Sequence, residues 1–328
     1  MRGLKFDVSE TRATDCPTSH LAATSLSLII PVFNSAKTLK NLIQVIDQNL
    51  VGMKRELILV NDGSRDQSWD VICELSIEHS WIRGINLMRN YGQHNALLCG
   101  IRAARNEIIV TMDDDLQNPP DEVPKLLTKL SEGFDVVYGT PVKENHGLMR
   151  DLASRITKIA LQNAMGAETA KNVSAFRAFR TKLRAAFEKY SGPYVSIDVL
   201  LTWSTQRFSA VPVANHPRSG GVSGYTTRKL ITHAMNMLTG FSTLPLQIAS
   251  IVGFLLTMFG VAILALVTTR YFIYGGVVPG FSFLASIISI FSGAQLFALG
   301  IFGEYLARVH SRTMDKPPYA VQVTTNES

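Results

Sequence analysis

Between residues 25 and 138 the chain alternates between two patterns of apolar residues. Short continuous apolar runs end at turn-forming residues, and longer segments carry apolar residues at every third or fourth position. The first pattern predicts buried parallel strands and the second predicts amphipathic helices. We place strands at 25–31, 56–60, 84–88, 108–112 and 135–138, and helices at 36–49, 69–77, 94–105 and 120–130. This alternation predicts an α/β fold with an open, mainly parallel sheet and helices on both faces.

Two later segments are apolar for long enough to cross a membrane. Leu244–Thr269 and Phe281–Gly303 contain no charged residue, and each exceeds the roughly 20 residues that span a bilayer core. Glycines, a proline and aromatic residues at 270–280 suit a short reversal between them. Lysine and arginine lie mainly before the first span and after the second, so the positive-inside rule predicts that both ends are cytosolic. A pair of buried core helices is the alternative.

Three basic amphipathic stretches precede the spans. Contact with the membrane surface and packing on the soluble domain are equally weighted interpretations of these stretches. They lie at Met149–Ala160, at 176–187 with Phe176, Phe179, Leu183 and Phe187 on one face, and around Leu230, Ile231 and Ala234. The predicted organisation is a flexible tail at 1–24, an α/β domain with interfacial helices at 25–226, a juxtamembrane helix at 227–243, a transmembrane hairpin at 244–303 and a cytosolic tail at 304–328.

Charge and cysteine content narrow the range of partners. Lys and Arg number 32 against 26 Asp and Glu, and no lysine block is present. This balance favours an anionic surface or substrate and argues against nucleic acid. Cys16, Cys73 and Cys99 lack the spacing of a zinc site or a disulfide scaffold, so we expect free thiols in a reducing compartment. Residues 1–24 lack the apolar segment of a secretory signal, which predicts cytosolic catalysis.

Acidic residues follow two of the predicted strands. Asp62 follows the second strand, and Asp113, Asp114 and Asp115 follow the fourth. Ligands of open α/β sheets bind beyond the carboxyl ends of the strands, so we expect both acidic loops at one crevice. Three consecutive carboxylates repel one another unless a cation or solvent relieves them. A divalent cation facing a diphosphate is one interpretation. A solvated loop for the triplet and a common Asp-Gly-Ser turn for Asp62 are the alternatives.

Five short motifs appear in order along the chain, at 31–34 (PVFN), 60–64 (VNDGS), 89–94 (RNYGQH), 113–120 (DDDLQNPP) and 174–180 (SAFRAFR). Their order and spacing resemble a GT-A-fold glycosyltransferase of family 2. The resemblance is to the polyprenyl-phosphate branch, which includes dolichol-phosphate-mannose synthase, bactoprenol glucosyltransferase and undecaprenyl-phosphate formamido-arabinose transferase. It runs from about residue 25 to residue 316. It implies a GT-A catalytic domain followed by interfacial helices and two transmembrane helices.

The resemblance implies roles for residues at the donor side of the crevice. Pro31 and Phe33 would border the nucleotide base, and Asp62 would bind the base or ribose. Asp113 would contact the donor sugar or nucleotide as a catalytic residue. Asp114 would lie beside the diphosphate and act mainly through its backbone, so Asp114→Ala should be tolerated far better than a change at either neighbour.

The resemblance also implies a metal site. Asp115, as a second catalytic residue, and Gln117 would hold Mg²⁺ or Mn²⁺. A cation at this position would stabilise the charge that grows on the departing diphosphate.

Two positions depart from the pattern of the family. Ser35 stands where relatives often carry Glu, which puts that nucleotide contact in question. Residues 223–225 read Ser-Gly-Tyr where several relatives carry Ser-Lys-Tyr. The missing lysine leaves Arg218 to face the donor phosphate, with Lys229 as the alternative.

The acceptor side is assigned to two arginines and an acid. Arg177 and Arg180 are expected to bind the lipid phosphate, because guanidinium groups match phosphate oxygens, and ordinary surface arginines are the alternative. Asp198 is expected to orient the acceptor or the sugar as a third catalytic residue. A helix cap or an ion-pair acid is the equally weighted alternative for Asp198.

The implied reaction is inverting transfer of a sugar from a nucleotide-sugar, expected to be UDP-linked, to undecaprenyl phosphate. The lipid phosphate is already ionised at neutral pH, so no strong base is needed. The expected partners are the nucleotide-sugar, the polyprenyl-phosphate lipid and the inner membrane, with no nucleic acid and with a homo-oligomer left open. A catalytically silent membrane scaffold and a processive polysaccharide synthase are the alternatives, although 205–208 lacks the Q-x-x-R-W signature of the latter.

Overall fold

A computed structural model describes residues 25–141, 172–192, 195–214, 244–274, 280–314 and 316–325. Its core is one eight-stranded sheet with the strand order β7-β5-β6-β4-β1-β2-β3-β8. The strands are β1 Leu26–Val32, β2 Arg55–Asn61, β3 Ile82–Leu87, β4 Ile108–Thr111, β5 Val136–Pro141, β6 Arg177–Arg180, β7 Phe208–Val213 and β8 Val321–Thr324. Only β6 and β8 run against the common direction, so the sheet is mainly parallel, as predicted.

Helices cover both faces of the sheet. They are α1 Ala36–Asn49, α2 Ser68–Glu78, α3 Gln93–Ala103, α4 Val123–Ser131, α5 Ile197–Thr202, α6 Leu244–Tyr274 and α7 Phe281–Thr313, with 3-10 turns at Pro120–Glu122 and Thr181–Ala186. Helices α1, α2 and α4 pack on one face and α3 and α5 on the other. Alternate residues of β1 supply both cores, Leu28 facing the first and Ile29 the second. Burial on both faces explains why β1 is apolar without interruption.

The segment 176–187 is not an amphipathic surface helix, so that prediction is wrong. It forms β6, which pairs between β4 and β5, and then a 3-10 turn. Phe176 is buried in one core, and Phe179 and Phe187 are buried in the other. The phenylalanines occur at helical spacing, but strand pairing on both sides overrides that local pattern. The other two predicted interfacial stretches, at 149–160 and around 230–234, lie outside the described residues.

The two apolar helices α6 and α7 follow β7 in the chain and pack against each other. Each contains a stretch long and apolar enough to cross a membrane, at Leu246–Ile273 and at Ile290–His310, and neither stretch is buried in the protein. A Cβ placed on Gly260 would lie 3.0 Å from the ring of Phe291. That close approach indicates a helical hairpin, as expected for a transmembrane anchor.

The chain returns to the sheet after α7. Strand β8 pairs antiparallel with β3 and forms one edge of the sheet. The N–H of Met88 donates to the carbonyl of Ala320 at 3.0 Å, and the N–H of Thr325 donates to the carbonyl of Gly84 at 2.9 Å. The predicted C-terminal tail therefore includes a strand of the central sheet.

Candidate active site

Four loops meet at the carboxyl edge of the sheet. They follow β1 at 33–35, β2 at 62–66, β3 at 88–92 and β4 at 112–117. These strands are neighbours and run parallel in the order β3-β2-β1-β4. The structure thus brings Asp62 and the acidic triplet to one crevice, where ligands of open α/β sheets bind.

Asp62 joins the second loop to the loop after β3. Its side chain is buried, and its two carboxylate oxygens accept hydrogen bonds from the N–H groups of Tyr91 at 2.7 Å and Gly92 at 2.9 Å. Asn90 donates to the backbone carbonyl of Asp62 at 3.1 Å. Burial raises the pKa of the Asp62 carboxyl, and the two backbone donors oppose that shift. Asp62 therefore helps to form the wall of the crevice, where it was predicted to bind the nucleotide.

Gly63 lets these two loops touch. Its φ of +65° lies in the left-handed region, and a Cβ there would stand 2.4 Å from backbone atoms of Arg89 and Asn90. Any side chain would push the two loops apart.

The three consecutive acids each reach a different part of the crevice. Asp113 accepts a hydrogen bond from the side-chain amide of Gln93 at 2.7 Å. Asp114 accepts one from the Ser35 hydroxyl and a longer one from the N–H of Phe33 at 3.4 Å. The three carboxylates are therefore not equivalent metal ligands.

Asp115 stabilises the turn of its own loop with a hydrogen bond. Its carboxylate accepts a hydrogen bond from the N–H of Gln117 at 3.1 Å, and Leu116 between them has a φ of 57°.

The side chain of Asp114 makes contacts of its own, which the predicted backbone role did not include. Its carboxylate links the acidic loop to the loop after β1. Burial raises the pKa of this carboxyl, Ser35 and Phe33 oppose the shift, and the charge of Asp115 adds to it.

The donor set fits a divalent cation that a substrate helps to bind. The described residues contain no group of three or more His, Cys, Asp and Glu side chains that could hold a metal by themselves. Asp115 and Gln117 nevertheless offer hard oxygen donors two residues apart on one turn. Magnesium is commonly bound by one or two carboxylates together with substrate phosphates. This arrangement suits a cation completed by a diphosphate.

Phe33 and Pro31, which were predicted to border the nucleotide base, differ in their exposure to solvent. Phe33 is 47% exposed at the crevice, and Pro31 is buried within β1. Ser35 lies at the start of α1 and uses its hydroxyl on Asp114. Arg218, the predicted donor-phosphate ligand, lies outside the described residues.

Arg177 and Asp198 form a buried ion pair at the carboxyl edge. Arg177 pairs in register with Thr111, the last residue of β4, and is only 2% exposed. Its guanidinium contacts the Asp198 carboxylate, which also accepts a hydrogen bond from the hydroxyl of Tyr138 at 3.1 Å. Burial and the negative charge of Asp198 raise the pKa of Tyr138 well above its usual range. The structure shows Asp198 as the ion-pair acid that the sequence left as an alternative.

Arg180 lies at the opposite edge of the sheet from the acidic loops. It pairs in register with Ile108, the first residue of β4. Its Nε lies 3.6 Å from Asp135, which precedes β5. Arg177 and Arg180 thus occupy the two ends of β6, and the structure does not bring them together at the carboxyl edge. The assignment of Arg180 to the acceptor stays a prediction.

Sequence reasoning missed two contributors to the crevice. Gln93 opens α3 and contacts Asp113, and the loop at 89–92 binds Asp62 through its backbone. Both lie within the motif at 89–94. The motif singled out this segment of the sequence but did not indicate which contacts its residues make.

Comparisons with known proteins agree with this geometry. The model of the family described as glycosyl transferase family 2 matches residues 27–190. The undecaprenyl-phosphate 4-deoxy-4-formamido-L-arabinose transferase of Shewanella sediminis is 34% identical over 302 residues, which cover 90% of this chain and 91% of that protein. The enzyme of the same name from Pectobacterium atrosepticum is 31% identical over 307 residues, covering 92% and 94%.

A solved structure shares the fold. The glucosyl-3-phosphoglycerate synthase of Mycobacterium tuberculosis, crystallised with Mn²⁺, UDP and glucosyl-3-phosphoglycerate, superimposes with a TM-score of 0.53 at 19% identity. The match covers 72% of this chain and 86% of that one. This similarity shows the GT-A fold, as the sequence motifs implied.

Proposed function

This chain belongs to glycosyltransferase family 2, and from that premise we propose that it transfers a sugar from a UDP-sugar to undecaprenyl phosphate with inversion of the anomeric carbon. The curated relatives that match nine-tenths of the chain are named for transfer to undecaprenyl phosphate. The structural neighbour is an enzyme crystallised with UDP and Mn²⁺. Together they support the lipid acceptor and the UDP donor.

The arrangement of the acidic loop carries the proposal. Asp115 and Gln117 lie on one turn, beside the Asp114 contact with the loop that holds Phe33. A nucleotide placed with its base at Phe33 would direct its diphosphate toward Asp115. When bound, Mg²⁺ or Mn²⁺ would supply stabilisation of the charge that develops on the diphosphate. Asp113, held by Gln93, would contact the donor from the other side.

Attack on the sugar needs little help from a base. A phosphate monoester is largely ionised at neutral pH, because its second pKa is near 6. A lipid phosphate oxygen would attack the anomeric carbon, and the bond to UDP would break. The crevice would contribute mainly by holding donor and acceptor close together in a productive orientation.

The membrane hairpin suits a polyprenyl acceptor. Helices α6 and α7 lead away from the sheet and back, and β8 then pairs with β3. Two crossings would return the chain to the side of the catalytic domain. With basic residues flanking the hairpin, we propose a cytosolic catalytic domain at the inner membrane.

The test is a transfer assay with the full-length protein in detergent. Undecaprenyl phosphate is incubated with Mn²⁺ and a panel of nucleotide-sugars that includes UDP-4-deoxy-4-formamido-L-arabinose, and the lipid product is identified by mass spectrometry. We expect a UDP-sugar to react and Asp115→Asn to lower the rate by about 10²–10³, the loss typical of removing charge stabilisation in a transition state.

Asp135→Asn is the matched control, since Asp135 lies at the opposite edge of the sheet and pairs with Arg207. It should transfer sugar at nearly the wild-type rate. Binding of UDP-sugars without turnover by the wild type would favour the silent scaffold instead. An Asp115→Asn variant as active as the wild type would refute the metal site.

A further inference from the structure

The hydroxyl of Ser35 does not cap the helix that follows it, although the position of Ser35 predicts that it would. A serine directly before a helix normally accepts a hydrogen bond from the backbone of the first turn, but Ser35 makes no such bond. The carboxylate of Asp66 accepts from the N–H of Ala36 instead, at 3.1 Å. The Ser35 hydroxyl contacts the Asp114 carboxylate, and it also lies 3.2 Å from the carbonyl of Phe33. Because Asp66 serves the helix, the hydroxyl is available for the crevice.

The loop at 33–35 is also fixed from the β2 side. The N–H of Asn34 donates to the Ser64 hydroxyl at 2.9 Å, and the N–H of Arg65 donates to the side-chain carbonyl of Asn34 at 2.8 Å. Asn34 has a φ of 56°, a left-handed conformation that asparagine tolerates better than most residues. These two bonds link Asn34 to the loop after β2, on the side where the base is expected.

Asp114 joins the loop at 33–35 to the acidic loop. It accepts from Ser35 and from the N–H of Phe33, the predicted base neighbour. Asp115, the predicted metal ligand, is the next residue along the chain. One side chain therefore lies between the base side and the metal side of the crevice.

Given the nucleotide-sugar transfer proposed above, we propose that Ser35 and Asp114 are positioning residues that couple binding of the base to binding of the cation. A ligand that fixes the loop at 33–35 also fixes Asp114 and the turn that carries Asp115. Coupling of this kind is reciprocal, so Mn²⁺ strengthens binding of UDP by the same factor by which UDP strengthens binding of Mn²⁺.

The experiment measures the affinity of the full-length protein in detergent for UDP, with and without Mn²⁺, by titration calorimetry. In Ser35→Ala we expect the factor by which Mn²⁺ strengthens UDP binding to fall about tenfold, the size expected for a lost hydrogen bond to a charged group. Ser35→Thr keeps the hydroxyl and should keep most of the factor. Asp114→Ala should match Ser35→Ala, a smaller loss than that of Asp115→Asn.

Two controls separate coupling from damage to the fold. Affinity for uridine, which lacks the diphosphate, should be the same in Ser35→Ala and the wild type. Ser131→Ala removes a serine hydroxyl of α4 that bonds only locally, to Thr128 at 2.6 Å, and should leave the factor unchanged.

The outcomes are distinct. If Mn²⁺ strengthens UDP binding equally in the wild type and in Ser35→Ala, the coupling role is overturned and the proposed function stands. If Mn²⁺ does not strengthen UDP binding in the wild type, the metal site of the proposed function is overturned together with the coupling that depends on it.

Discussion

The two edges of the catalytic sheet hold their acids in different ways. At the amino edge, Asp135 accepts two hydrogen bonds of 3.0 Å from the guanidinium of Arg207, and Glu56 lies 3.5 Å from Arg83. At the carboxyl edge, Asp62 accepts from two backbone N–H groups. Asp114 likewise accepts from a hydroxyl and a backbone N–H. Asp135 and Glu56 each face a guanidinium in addition to neutral donors, whereas these contacts of Asp62 and Asp114 come from neutral donors.

The pKa directions of three of these acids also differ. Arg207 lowers the pKa of the Asp135 carboxyl, whereas burial raises the pKa values of Asp62 and Asp114. Neutral donors orient a carboxylate without cancelling its charge. Asp62 and Asp114 are thus oriented in the crevice by neutral donors, whereas the charge of Arg207 holds Asp135 at the amino edge.

The Arg177–Asp198 pair is the exception to this division, and breaking it should have the largest effect on stability. It lies at the carboxyl edge, yet it is a buried ion pair. Asp198→Leu leaves the guanidinium without its countercharge and should destabilise the protein by about 3–5 kcal/mol. The double variant Arg177→Met with Asp198→Leu should recover most of that loss. Urea-induced unfolding of the full chain in detergent measures both.

Activity of the double variant then decides what the pair does. If it is stable and transfers sugar normally, the pair serves the fold. If it is stable but has a raised KM for undecaprenyl phosphate alone, Arg177 binds the acceptor phosphate as the sequence predicted. Unfolding of Asp198→Leu at the wild-type urea concentration would contradict the ion pair itself.

The central strands and their helices could be predicted because their signals are local. Strand β1 is buried at every position, and the buried residues of α1 recur at helical spacing. Strand β6 could not be predicted, because its four residues are ordered by β4 and β5 on either side. Strand β8 pairs with a segment more than two hundred residues earlier in the chain, which local patterning does not encode.

The geometry of the site could likewise be predicted only in part from the sequence. Strand order places Asp62 and Asp113 at one edge, so their convergence follows from the rule for parallel sheets. The contact of Ser35 with Asp114 depends on loop backbone that includes left-handed residues at Asn34 and Leu116. Residue types alone do not specify such conformations.

Substitutions at two glycines, one at each edge of the sheet, compare the edges directly. Their expected effect is smaller than that of breaking the Arg177–Asp198 pair. Gly52 precedes β2 at the amino edge and has a φ of +78° with open space around it, whereas Gly63 has backbone atoms at 2.4 Å. Alanine at either position meets the left-handed backbone cost of roughly 1–2 kcal/mol. Gly63→Ala must also separate the loops that hold Asp62.

We expect Gly63→Ala to weaken UDP binding at least about tenfold, equivalent to about 1.4 kcal/mol, and Gly52→Ala to leave it unchanged. Calorimetry with Mn²⁺ present measures the affinities, and thermal unfolding confirms that both variants fold. Equal UDP affinities for the two variants would show that the contact between the loops does not shape the nucleotide site.

The smallest effect is the pH dependence that Asp135 contributes at the amino edge. Its pKa is lower in the folded protein than in the unfolded chain, so its pairing with Arg207 stabilises the fold above the unfolded pKa of about 4 and is lost as the pH falls through the folded value. Arg207 is 62% exposed, so solvent screening keeps the gain small. Stability of the wild type should therefore exceed that of Asp135→Asn at pH 6, and the difference should shrink steadily below pH 4 in urea unfolding experiments. A difference that grew on acidification would mean that Asp135 is not held ionised by Arg207, and the contrast between the two edges would fail.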